Sequence, residues 1–152
     1  MKKDRHAVIV VPGIGDQKIL HKLLTKSWEN FGLTVFVHPM MWYQGKHFDP
    51  KLAGIVKRID HLSKNYRYFS LVGTSAGGSA ALNAFLERKS TIHRVIVICS
   101  RLRPGQYQGL HSFERRTNKS PAFRQSVLLF SEKEHMLTKQ DRMKLMTVRA
   151  EF

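Results

Sequence analysis

The chain has 152 residues, 42% of them apolar and 24% charged, enough for one globular domain that buries about two-thirds of its extended-chain surface. Its longest apolar stretches, such as Val95-Ile96-Val97-Ile98-Cys99, fall far short of the ~20 residues that cross a bilayer, which argues against a membrane span, and the single cysteine rules out an intrachain disulfide or a cysteine-rich zinc site. Lys and Arg number 26 against 11 Asp and Glu, a net charge of +15, yet they are scattered, without the compact run or aromatic interleaving of a nucleic-acid tract. Affinity for polyanions is therefore expected to be non-specific, with no specific nucleic-acid partner.

Apolar runs of strand length alternate with stretches of helical period, the signature of βαβ units and a parallel sheet. Ala7 to Val11 is continuous and β-branched, as a strand buried on both faces should be, and stops at Pro12-Gly13. Asp16 is placed to cap a following helix whose apolar positions are Ile19, Leu20, Leu23, Leu24, Trp28 and Phe31, with Gly32 ending it. Leu33 to Val37 reads as the second strand. Asp49-Pro50 then opens a helix, Asp as cap and Pro in the first turn, with Leu52, Ile55, Val56, Ile59 and Leu62 on its inner face.

Tyr68 to Val72 is the third strand, Ala76 to Leu86 a helix rich in small residues, and Arg94 to Cys99 the fourth strand. Ser100 to Lys119 lacks periodicity and reads as a loop or short helical excursion. The last thirty residues admit two registers. Either Val127 to Phe130 is a strand followed by Glu134, or Ser120-Pro121 starts a helix through about Leu137 and Met143, Leu145 and Thr147 alternate along a terminal strand. The Ser-Pro start favours the second. The expected architecture is an α/β/α domain with a five-stranded parallel sheet in the order 2-1-3-4-5.

Between the third strand and its helix stands Gly73-Thr74-Ser75-Ala76-Gly77, a G-x-S-x-G pattern in strand-turn-helix context. A serine on such a turn is lifted above the sheet, and β-carbons at the flanking glycines would strike neighbouring backbone. Ser75 also sits at a helix N-terminus, where free N–H groups favour developing negative charge. The amide of Ala76 is one expected oxyanion donor. The second is expected from Pro12-Gly13-Ile14-Gly15, at Ile14. Gly13 and Gly15 do not make a dinucleotide fingerprint, because Gly-Ile-Gly-Asp-Gln-Lys lacks the third glycine.

These motifs resemble those of the α/β-hydrolase family, from the central strand of that fold onward, over residues 7 to about 150. Pro12-Gly13-Ile14-Gly15 is similar to the His-Gly-x-Gly oxyanion loop, with Pro12 in place of the histidine. The resemblance implies hydrolysis of an ester, thioester or amide through an acyl-enzyme at Ser75, with a small-molecule acyl substrate and no cofactor. The family orders its triad Ser, then Asp or Glu, then His. Here no histidine follows His135, and in the favoured register Met143 to Val148 resembles the strand that precedes the acid. The chain looks like a hydrolase shortened before acid and histidine, with little turnover expected from it alone. In the other register Glu134 takes the acid position, beside His135. The alternative is a catalytically silent binding module of the same fold that engages anionic ligands or partners.

Several residues have plainer expectations. His38 reads as a rim residue at a strand end, and the other histidines show no metal spacing. Trp42, Tyr43 and Phe48 line an acyl pocket or cover the end of the sheet; Cys99 reads as a small buried core residue. The basic start Met1-Lys2-Lys3 runs into too short an apolar segment for a signal peptide, so a reducing cytoplasm is the expected compartment. A missing final strand would leave an exposed sheet edge, which invites a homodimer through that edge.

Overall fold

The computed structural model describes residues 3–105 and 112–149. Five strands, β1 (Lys3–Val11), β2 (Leu33–Val37), β3 (Tyr66–Thr74), β4 (Arg94–Ile98) and β5 (Leu145–Val148), form one all-parallel sheet in the order β2-β1-β3-β4-β5. Chain order reverses between β1 and β3, and open α/β sheets bind ligands beyond the carboxyl ends of strands at such a point. The helices are α1 (Lys18–Leu24), α2 (Asp49–Ser63), α3 (Gly77–Glu87), α4 (Phe113–Thr117), α5 (Pro121–Lys133) and α6 (Lys139–Arg142), with 3₁₀ turns at Lys26–Phe31 and Glu134–Met136. None is long and apolar enough to cross a membrane.

Strand pleating sends alternate side chains to opposite faces. Ala7, Ile9 and Val11 join the larger core with Ile55 and Ile59 of α2, Phe85 of α3 and Val127 of α5, whereas Val8, Val10, Val37 and Val72 form a small cluster on the other face under Trp28. The two outer layers are thus unequal, and α1 is where the sequence reading fails. Its expected inner face is open, with Ile19 77% and Phe31 80% exposed, and α1 buries no residue. The helical period breaks at Thr25, whose hydroxyl and amide both donate to the His21 carbonyl, and a 3₁₀ turn follows, so residues 19 to 31 do not share one stripe. Gly32 does end the segment in the left-handed region at φ 77°. In α2, Asp49 lies in the first turn, with Phe48 in the capping position.

The C-terminal part follows the favoured register. Ser120 caps α5 by accepting from the Phe123 amide, and it donates to the Trp42 carbonyl at 2.8 Å. A buried polar seam joins α5 to α3: the Ser79 and Ser126 hydroxyls are 2.7 Å apart, and Asn83 Nδ2 donates to the carbonyls of Ser126 and Ser79 at 2.8 and 2.9 Å.

Before β5, Thr138 and Asp141 form a capping box for α6, and Lys89 Nζ lies 2.8 Å from the Asp141 carboxylate. The Lys89 ammonium and the Thr138 amide hold that carboxyl down to about 2. Because the folded value lies below the unfolded one, the stabilisation is complete above the usual carboxylate range and is lost as pH falls towards 2. Asp141→Asn is expected to cost on the order of 1 kcal/mol at pH 7, given the partial solvent screening of the pair. It should also flatten the loss of stability on acidification below that range, as read from urea midpoints measured at successive pH values.

Candidate active site

At the end of β3, Ser75 adopts φ 51°, a left-handed conformation that costs a non-glycine residue on the order of 1–2 kcal/mol. The bend is pinned on both sides, since the Ser75 amide donates to the Ile98 carbonyl at 2.9 Å and the Gly78 amide to the Ser75 carbonyl at 3.2 Å. A β-carbon on Gly73 would lie 2.6 Å from the Gly77 carbonyl oxygen, and one on Gly77 would strike the Val11 and Pro12 carbonyls. The sequence therefore has glycine on each side of the serine for a steric reason: β3, α3 and the end of β1 meet with no room for a side chain. Ser75 itself is exposed, and no described residue hydrogen-bonds its hydroxyl.

The loop after β1 closes against this bend. A β-carbon at Gly13 would come within 2.9 Å of Ser75 Cβ and 3.4 Å of Ser75 Oγ, which places Gly13, and Ile14 next to it, beside the serine. The amides of Ile14 and Ala76 find no acceptor among the described residues. Both are thus available to a ligand.

Asp16 holds the loop in place by a route the sequence reading missed. Its carboxylate does not cap α1; at φ 43° it accepts instead from the amides of Met40 at 2.7 Å and Trp42 at 3.1 Å. The Trp42 indole N–H returns to the Pro12 carbonyl at 3.1 Å. Lys51 Nζ secures the same loop through the carbonyls of Met40, Met41 and Gln44. Trp42 and Phe48 are accordingly buried core residues stacked at 6.4 Å, while Tyr43 is exposed, so this aromatic group covers the end of the sheet. Asp16→Ala leaves two amides without their charged acceptor and is expected to cost about 1–3 kcal/mol, read from chemical denaturation, with Asp16→Asn losing less.

Two cavities flank Ser75. One, of about 340 Å³, is lined by Ile14, Ser75, Cys99, Arg101, Arg116 and Phe123. The other, of about 330 Å³, runs along the β1 loop to Gln17 and His21 and includes Thr74 and Ser75. Cys99 departs from expectation: β4 ends at Ile98, and Cys99 turns out of the strand at φ 48°, exposed on the cavity wall, while its amide bonds the Val148 carbonyl of β5. Arg101, Arg116 and His21 were given no role in the sequence reading. The available signal for Arg101 was its place just past the carboxyl end of the strand next to β3.

Glu134 does not sit after a strand, because Val127 to Phe130 lies within α5. Its carboxylate is clasped by Arg103 at 2.6 and 2.8 Å, with Arg142 at 3.6 Å, and the Arg103 hydrogen bonds hold its pKa below the usual carboxylate range. His135 Nδ1 is bonded to the Glu132 carbonyl. Neither residue is engaged with the serine. His38 lines a separate cavity of about 490 Å³ with Phe36, Gly54, Lys57, Arg58 and His61, where burial and the neighbouring Arg58 push its pKa down to about 4. Among the described residues no group of three or more His, Cys, Asp or Glu side chains could hold a metal ion.

No protein-family model and no curated protein matches the sequence. Solved structures do match. An α/β-hydrolase enzyme from the sediment metagenome of the Mar Chica lagoon superposes at a TM-score of 0.56 with 17% identity, over 96% of this chain and 67% of its own. The NocB thioesterase domain, solved as a covalent complex with a fluorophosphonate nocardicin G analog, gives 0.55 at 12% identity over 95% and 83% of the two chains. Est1E from Butyrivibrio proteoclasticus gives 0.56 at 17% identity, over 64% of this chain and 41% of its own, so the present chain spans less than half the length of that protein. The fold is that of the α/β-hydrolases.

Proposed function

We propose that Ser75 is the nucleophile of an acyl-transfer site that hydrolyses a small ester, thioester or amide. In this reading Ser75 Oγ adds to the substrate carbonyl carbon and its proton passes through solvent water to the leaving group, while the carbonyl oxygen becomes an oxyanion held by the Ile14 and Ala76 amides. Collapse of the tetrahedral adduct breaks the bond to the leaving group, which departs with a proton, and water then releases the acid from Ser75 by the reverse of the same steps. One observation carries the reading. An exposed serine in a left-handed bend between β3 and α3 faces two cavities, with Gly13 packed against it and two unpartnered amides at hand.

Among the described residues no side chain accepts a hydrogen bond from Ser75 Oγ to act as its base. That observation favours a second reading, a catalytically silent module of the same fold. Exposure to an alkyl fluorophosphonate separates the two. Slow phosphonylation confined to Ser75, with loss of fluoride and of the hydroxyl proton, and its absence in Ser75→Ala, is the result expected of the nucleophile. An unmodified chain after prolonged exposure would leave the silent module as the better account.

A further inference from the structure

Gly54, Lys57, Arg58 and His61 recur at helical spacing along α2, and across the cavity of about 490 Å³ they meet Phe36 of β2, the outermost strand, and His38 just beyond it. Two observations set this cavity apart. Arg58 Nε is buried, yet no acceptor among the described residues takes its hydrogen, and the guanidinium lies over the Phe36 ring at 5.7 Å. Buried polar groups nearly always have a partner. The second observation is Gly54, in the interior of a helix that glycine disfavours. A β-carbon there would meet nothing nearer than His38 Nε2 at 3.8 Å, an ordinary contact. The packing of the fold therefore does not require a glycine at this position, and the bare floor it leaves belongs to the cavity. Lys57 and His61 stand exposed at the rim, while the neighbouring Asp60 carboxylate is taken by Arg88 at 2.7 and 2.8 Å.

We propose that this cavity binds a small organic oxyanion carried on a flat ring, an aryl carboxylate or aryl phosphate, with its charged end on the Arg58 guanidinium beside Lys57 and its ring on the floor left by Gly54 between Phe36 and Leu62. A guanidinium offers paired N–H groups that match two oxygens of one carboxylate or phosphate, and Arg58 commits none of them to an acceptor among the described residues. The walls account for the ring: Phe36, Leu62 and Gly54 carry no polar side-chain atom, and about 490 Å³ is a volume that small-molecule sites have. Burial and Arg58 keep the His38 ring uncharged at neutral pH, so it can contribute an N–H without adding a second desolvated charge. A bare inorganic anion, drawn by the net charge of +15, would make no use of that floor. The site stands independently of Ser75, which does not line it.

The test is calorimetric titration of the 152-residue chain with phenyl phosphate and with benzoate. Benzyl alcohol, which keeps the ring, and inorganic phosphate, which keeps the charge, are the comparators. At least one aryl oxyanion is expected to bind about tenfold or more tightly than both comparators, the range of a charge-assisted bond, and the tighter of the two identifies the oxyanion. In proton NMR it should shift the ring signals of His38 and His61 and leave those of His21, which shares a cavity with Ser75. Arg58→Gln should erase the margin over benzyl alcohol. Gly54→Leu keeps every charge, suits a helix and fills the floor, so it should erase the margin over inorganic phosphate. Lys139→Gln, which removes the same charge beside β5 at the opposite edge of the sheet, and Ser75→Ala should both bind as the parent does. Aryl oxyanions that bind no tighter than the comparators, a margin that survives in either folded variant, or shifts at His21 in place of His38 would overturn the proposal. Fluorophosphonate labelling judges Ser75 separately, so either reading can fall without the other.

Discussion

Gly77→Ala is expected to leave no cooperative unfolding transition at 37 °C. The added β-carbon would meet the Val11 and Pro12 carbonyls, the second at 2.7 Å, and both are backbone atoms that cannot rotate away. Neither can the helix retreat, because every residue of α3 from Gly77 to Phe85 is buried. Overpacking a well-ordered core costs about 1–3 kcal/mol when side chains can adjust, and a clash of backbone on backbone exceeds that, against a total stability of about 5–15 kcal/mol for a domain. Gly78→Ala is a graded comparison. Its β-carbon meets the side chains of Ser100 and Val97, so a smaller loss is expected. Circular dichroism melts of both variants check the ranking, and a Gly77→Ala protein within about 1 kcal/mol of the parent would show that the bend is looser than these contacts require.

The second large effect concerns rate. The 152-residue chain is expected to hydrolyse p-nitrophenyl acetate only marginally faster than its Ser75→Ala variant. Removing triad members from a serine hydrolase costs on the order of 10⁴–10⁶ in turnover, and what remains comes from the oxyanion donors and binding. Here Ser75 Oγ has no hydrogen-bonded base among the described residues, and Glu134 is bound by two arginines. A Ser75-dependent turnover near the ordinary enzymatic value of about 10 s⁻¹ would contradict this. It would direct attention to His21, the histidine among the described residues that shares a cavity with the serine.

The parts of the fold legible in the sequence are those set by local chemistry. Continuous β-branched runs marked β1 and β4 because a strand covered on both faces has no polar side to display. Glycines at 73 and 77 marked the bend because their absence of a side chain is a steric requirement. Ser120-Pro121 marked the start of α5 because a hydroxyl cap and a residue without an amide hydrogen suit a helix N-terminus. What escaped depends on neighbours distant in the chain. The apolar spacing of Ile19, Leu20, Leu23 and Leu24 is genuine, but these side chains stay exposed, so periodicity alone overstated burial. Asp16 had the right chemistry for a cap, yet the amides of Met40 and Trp42, brought close by the pairing of β1 with β2, took its carboxylate. Cys99 looked like the end of an apolar strand because its turn outward is a backbone event with no signature in residue type.

The seam between α3 and α5 sets the dimensions of the site. Two helices joined only by aliphatic contacts can slide along each other at modest cost, whereas displacing Ser126 from Ser79 and Asn83 would strand several buried polar atoms at about 1–3 kcal/mol each. The same α5 carries Phe123 into the cavity wall and is gripped at its first turn by the Trp42 carbonyl. The span from Ser75 to Phe123 is thereby gauged by hydrogen-bond lengths. Phe123 is thus held in the cavity wall by directional bonds at both the start and the middle of its helix.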